Sequence, residues 1–127
     1  MPGVTPQPMI AVADVQRSSR FYQQLLGADS GHGGDEYEQL LVDGELVMQL
    51  HAAEIEHHHG AIGEPGAPVG GGVVLWFAAQ AFDAAVQRIR ESGAEIVTDV
   101  AVNPNSGRRE VWLRDPDGYL IVVAEPF

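Results

Sequence analysis

The sequence predicts an α+β fold, two βαβββ units whose curved mixed sheet surrounds a cleft, and three observations carry that expectation. The first is a closing hairpin over residues 110–124, in which two β-branched and aromatic runs flank Asp115-Pro116-Asp117-Gly118. Proline fixes φ and glycine accepts positive φ, so the stretch reads as strand, tight turn, strand. The second is a helix signal over residues 15–26, opened by Asp14 and closed by Gly27. The third is a repeat: Gly27-Ala28 and Gly93-Ala94 lie 66 residues apart, an offset that Asp14 and Gln80 share. A repeat of that length marks a duplicated supersecondary unit.

In chain order, residues 9–13 form a short apolar strand, and the Asp14 carboxylate can accept from the first unpaired amides of a helix. Val15, Ser18, Ser19, Phe21, Tyr22, Leu25 and Leu26 recur at helical spacing, leaving Arg17, Arg20, Gln23 and Gln24 for solvent. Gly31-His32-Gly33-Gly34 reads as a turn. Residues 38–42 and 45–51 flank Asp43-Gly44, a type I′ hairpin signal. Residues 52–70 are rich in Gly, Pro and charge and read as a connecting loop. The pattern then returns: a strand at 73–77, a helix marked by Phe82, Ala85, Val86 and Ile89 with Gly93 as its stop, a strand at 95–100, a loop at 103–107, and the closing hairpin. The expected organisation is one domain, with units at 7–51 and 71–125 joined by 52–70. Each unit leaves one sheet face unsatisfied, so two units side by side can enclose a cleft.

Composition narrows the function. The 127 residues, 45% of them hydrophobic, can bury a core without disulfides or structural metal, and no cysteine is present for a disulfide or a thiolate metal site. The net charge of −11 opposes a nucleic-acid partner, because an acidic surface repels phosphate. No run reaches membrane-spanning length and the first residues lack a signal-peptide pattern, so the expected location is the cytoplasm, with no membrane partner. No P-loop, dinucleotide fingerprint or Ser-His-Asp arrangement can be placed.

A strand ending in Asp115-Pro116-Asp117-Gly118, followed by a last apolar strand, resembles the closing hairpin of the vicinal oxygen chelate superfamily. That group includes lactoylglutathione lyases, extradiol dioxygenases, fosfomycin-resistance proteins and bleomycin-binding proteins. The resemblance runs from Gln7 to Ala124 and implies a homodimer with a ligand cleft. In metal-using members, four side chains on the first and last strands of the two units hold a divalent ion. The resemblance puts Gln7 and Gln49 at the first two positions, and Gly72 and Val122 at the others. Two neutral amides without carboxylate or imidazole make a poor site for Mg, Mn, Zn or Fe. No cofactor is therefore expected, and Gln7, Gln49 and His51 are weak metal candidates, with His57, His58 and His59 as loop imidazoles that could join His51.

Strand alternation aims Gln7, Met9 and Ala11, then Val47, Gln49 and His51, then Val74 and Trp76, then Glu110, Trp112 and Arg114, then Leu120 and Val122 toward the cleft. Tyr119, Ile121 and Val123 should face the helices. Two tryptophans, a methionine and aliphatic residues with a few polar groups resemble the lining of a small-molecule site, although both rings could equally fill core volume. Glu110 is the candidate acid–base group or cation anchor, with Arg114 as its pairing partner. Tyr37, near the hairpin start, is a further residue that could reach a ligand, which the sequence does not decide.

Three functions follow. A metal-free protein binding a cationic or aromatic small molecule agrees best with these residues. A metal-dependent lyase or dioxygenase of the glyoxalase type needs a non-standard metal site. Glutathione as its substrate is disfavoured, because the position that would lean toward the tripeptide's carboxylates is Ala11. An enzyme working without the usual metal is the third.

Overall fold

The computed structural model describes residues 3–53 and 67–127, and these fall into two compact units, residues 1–67 and 68–127. In the first unit the elements are β1 (Met9–Val12), α1 (Val15–Leu26), β2 (Asp29–Ser30), β3 (Tyr37–Val42) and β4 (Glu45–Ala52). The sheet order is β1-β4-β3-β2, with β1 parallel to β4 and the other pairs antiparallel. The second unit repeats this as β5 (Val74–Ala78), α2 (Phe82–Ser92), β6 (Glu95–Val102), β7 (Arg109–Arg114) and β8 (Leu120–Ala124), in the order β5-β8-β7-β6. Both sheets are open and mixed, so the α+β class and the βαβββ repeat stand.

Helix α1 starts and stops where its signals are. Asp14 is the N-cap, its carboxylate accepting from the Arg17 amide at 3.0 Å, and Gly27 closes the helix in the left-handed region at φ 66°. Helix α2 keeps only the second signal. Gly93 closes it at φ 71°, but its N-cap is Ala81 with no side-chain cap bond, so Gln80 does not do what Asp14 does. The 66-residue offset therefore holds at the helix ends and becomes 67 at their starts, Val15 and Phe82.

Each helix covers one face of its own sheet. Val15, Tyr22 and Leu25 of α1 bury with Leu40, Met48 and Leu50 of β3 and β4. In the second unit Phe82, Ala85 and Ile89 of α2 bury, as do Val111, Leu113, Ile121 and Val123 of the sheet. Each buried Val, Leu, Ile, Met or Phe among these contributes about 1.5–3 kcal/mol of transfer free energy, which is what holds a twelve-residue helix that would be marginal in water. Ile121 and Val123 are structural as expected, whereas Tyr119 is half-buried, its ring lying beside the Gly70 backbone.

The turns follow their chemistry. Asp43 and Gly44 both have positive φ, 52° and 79°, as a type I′ turn requires. In the closing hairpin one oxygen of the buried Asp115 carboxylate accepts from the amides of Asp117, Gly118 and Tyr119 at 2.8–2.9 Å. The strand limits shift slightly from the expected ones: β1 ends at Val12, β5 starts at Val74, and β6 runs on to Val102. The short strand β2, antiparallel to β3, is the strand of the first βαβββ unit for which the sequence pattern offered no residues.

Candidate functional site

Glu38 lies on the helix-covered side of β3 and is fully buried. Its Oε2 accepts from the Ser19 hydroxyl at 2.9 Å and the Ser30 hydroxyl at 2.7 Å, and its Oε1 from the amides of His32, Gly33 and Gln39 at 2.8–3.0 Å. Burial pushes this carboxyl up, but the Gly33 amide, the Ser30 hydroxyl and the Gln39 and His32 amides together outweigh it and bring the pKa down to about 2. The carboxylate thus fixes the turn that carries His32, whose ring meets Tyr37 edge-on at 5.1 Å. Gln23 also turns inward, donating to the Ser19 hydroxyl at 2.9 Å, where solvent exposure was expected.

On the other side of this first sheet stand the polar residues singled out from the sequence. Tyr37 donates its hydroxyl to the Gln49 amide oxygen and accepts from Gln39 at 3.1 Å. The Gln49 amide nitrogen donates to the Gln7 backbone carbonyl at 2.8 Å. Met9, paired with Gln49 across the parallel ladder, is 38% exposed, and the Gln7 side chain is exposed. His51 shares the Gln49 face by alternation but is buried, with Nδ1 2.9 Å from the Ala52 carbonyl.

These donors do not fit the divalent ion that the resemblance implies. Gln49 spends its amide on Tyr37 and Gln7, and neither unit offers an anionic oxygen at these places. Ladder register corrects one assignment: Met9 pairs with Gln49 as Trp76 pairs with Val122, so the counterpart of Gln7 is Val74, not Gly72. Valine is no better a ligand than glycine. Among the described residues no group of three or more His, Asp or Glu side chains could hold a metal, and His57, His58 and His59 lie outside those residues.

The second sheet gathers the other candidates on the face turned away from α2, in three rows. The middle row is Trp76, Val122, Trp112 and Thr98, paired strand to strand across the ladder. Val122 is fully buried between rings, while Trp76 is 41% exposed. The two indoles meet edge to face at 6.5 Å, and the Phe127 ring lies nearly parallel to Trp76, at 12° and 6.5 Å. Arg108 sits over Phe127 at 5.2 Å and ties the adjoining chain down by donating to the Pro126 carbonyl at 2.7 Å. Val74, Leu120, Arg114 and Glu95 make one flanking row.

The other flanking row is Ala78, Ala124, Glu110 and Ala101, one acid among small side chains. Glu110 is only 8% exposed. Its Oε1 accepts from the Trp112 indole at 2.9 Å, and both oxygens take the Asn103 amide at 3.2 Å. The expected Glu110–Arg114 ion pair does not form, because Arg114 donates to the Gly118 carbonyl at 2.9 Å and so serves the hairpin turn. Asn103 and Phe127 had no sequence signal beyond a loop asparagine and an aromatic near the last strand. Arg109 belongs to the opposite face, where it bridges Asp83 at 3.0 Å and Glu125 at 3.3 Å over the Phe82 ring.

A family model described as the Glyoxalase/Bleomycin resistance protein/Dioxygenase superfamily matches residues 5–123. The chain belongs to that superfamily. Among solved structures it is similar to a protein of unknown function from Agrobacterium tumefaciens strain C58, at 23% identity and a TM-score of 0.78 over 100% of this chain and 98% of that one. It is also similar to TioX from Micromonospora sp. ML1, at 16% identity and a TM-score of 0.75 over 98% and 100% of the two chains. A lactoylglutathione lyase from Agrobacterium tumefaciens gives 18% identity and a TM-score of 0.73 over 98% and 95%. At these identities the likeness carries the fold alone. No curated protein matches the chain.

Proposed function

We propose that this superfamily member is a small-molecule-binding protein that takes a flat aromatic ligand on the face of its second sheet turned away from α2, without the superfamily's usual metal. The observation that carries the reading is the half-open aromatic row: Trp76 and Trp112 set at right angles over a buried Val122, with Phe127 parallel to Trp76. Large apolar rings left partly in water cost free energy that a stacked ligand recovers, and one aromatic pair adds about 0.5–1.5 kcal/mol beyond area burial. The metal-dependent lyase or dioxygenase needs an anionic or imidazole donor set that the described residues do not assemble. A homodimer and a cytoplasmic location belong to the same proposal. It also excludes nucleic-acid and membrane partners, in keeping with the charge of −11 and with no described helix being long and apolar enough to cross a membrane.

The test is calorimetric titration with 1-naphthalenemethanol, a neutral flat probe, against the wild type and Trp76→Ala, each with and without EDTA. Saturable binding that survives EDTA and weakens about tenfold or more in Trp76→Ala supports the reading, since tenfold is about 1.4 kcal/mol. Binding abolished by EDTA, or untouched by the substitution, contradicts it.

A further inference from the structure

We infer that Glu110 sets the charge of the ligand: the molecule that stacks on Trp76 and Trp112 carries a protonated nitrogen beside its ring, and the Glu110 carboxylate receives it. This rests on the aromatic face being the binding site. Two buried glutamates in the same chain make the contrast. Glu38 is surrounded by five donors, three of them backbone amides, and is fully supplied. Glu110, on the ligand side of its sheet, has two neutral side-chain donors. One of these, Asn103, is shared between both oxygens at 3.2 Å, and Oε2 accepts from nothing else among the described residues.

A carboxylate has about four acceptor positions and needs a cation or several strong donors to stay charged out of water. No arginine supplies the cation. Arg114 donates to Gly118, Arg108 to Ser106 and Pro126, and Arg109 is held by Asp83 and Glu125. The two groups that do touch Glu110 hold it in place. The Trp112 indole can only donate, and Asn103 has its amide oxygen engaged by the Asn105 amide at 2.9 Å, which turns its nitrogen toward Glu110.

The cross-strand neighbours of the carboxylate are the small residues Ala124 and Ala101, with Ala78 beyond, so no bulky side chain of the same row stands against it. The adjoining row presents indole rings. A cation placed there meets a carboxylate and aromatic faces together, two attractions that act on the same charge. A glutamine at position 110 would still accept from the indole, so what glutamate adds at this place is charge.

The experiment compares three probes on one ring, 1-naphthylmethylammonium, 1-naphthalenemethanol and 1-naphthoate, by calorimetry against the wild type, Glu110→Gln and Glu95→Gln. The wild type is expected to bind the ammonium at least tenfold more tightly than the alcohol and to reject the naphthoate. In Glu110→Gln the ammonium should fall to the affinity of the alcohol, whose own binding stays. Glu95→Gln removes an exposed acid from the same face and should leave the preference intact, separating Glu110 from the general negative field. Equal affinity of ammonium and alcohol in the wild type overturns the inference while leaving the aromatic site standing, and needs no variant to fold. A preference that persists in Glu110→Gln, or that Glu95→Gln also removes, overturns it too. If none of the three binds, the aromatic site itself fails and the inference with it.

Discussion

Replacing Glu38 by Gln removes one charge from the interior of the first unit and tests whether that charge holds the turn before β3. The pKa of Glu38 falls from its ordinary 4.5 to about 2 in the folded chain. At about 1.4 kcal/mol per pH unit, that depression stabilises the fold by about 3 kcal/mol at neutral pH. Because the folded value lies below the unfolded one, this contribution is fully present above about pH 4.5 and is lost as the pH falls through about 2. At pH 3 about 1.4 kcal/mol of it remains. A glutamine can aim its oxygen at the amides of His32, Gly33 and Gln39 and its nitrogen at the Ser19 and Ser30 hydroxyls, which rotate to accept, so the variant should fold. Urea unfolding of both proteins should then show a gap of about 2–3 kcal/mol at pH 7 that narrows to about 1 kcal/mol at pH 3. A gap that is the same at both pH values would refute the reasoning, since a steric or packing defect has no reason to titrate with one carboxyl.

Further outcomes follow from the capping and packing. Asp14→Ala should cost about 1 kcal/mol in urea unfolding, whereas Gln80→Ala should cost less than about 0.5 kcal/mol, because only Asp14 accepts from a helix amide. Val122→Ala, in a fully buried position under both indoles, should lower stability by about 1–2 kcal/mol and also weaken naphthalenemethanol binding by loosening the indole pair. Trp76→Ala, 41% exposed, should weaken the same ligand while costing less than about 1.5 kcal/mol in unfolding free energy.

Local signals were legible wherever chemistry acts over a few residues. Asp14 and Gly27 bound α1, Asp43-Gly44 makes the first hairpin, and Asp115-Pro116-Asp117-Gly118 makes the last, each for the reason its side chains give. Period-two alternation also put Trp76, Glu110, Trp112 and Val122 on one face. What the pattern could not carry was partner choice between residues distant in sequence. Glu38 looks like any strand glutamate until Ser19 and Ser30 arrive from α1 and β2. Glu110 and Arg114 share a face, and opposite charges four residues apart on it suggest a pair, yet Arg114 donates to the Gly118 carbonyl and Asn103 comes from a loop to take the acid. The repeat misled at Gln80 for a similar reason, since one extra residue ahead of α2 moves the cap to Ala81.

The central claim is that a small molecule docks on the aromatic face of the second sheet. With two tryptophans in the chain, an amide correlation spectrum of nitrogen-15 protein contains two indole signals, one from Trp76 and one from Trp112. Titrating 1-naphthylmethylammonium should shift both saturably and together, with the Trp112 signal also reporting any change in its bond to Glu110. Shifts confined to backbone amides of the first unit, with both indole signals unmoved at saturation, would contradict the account.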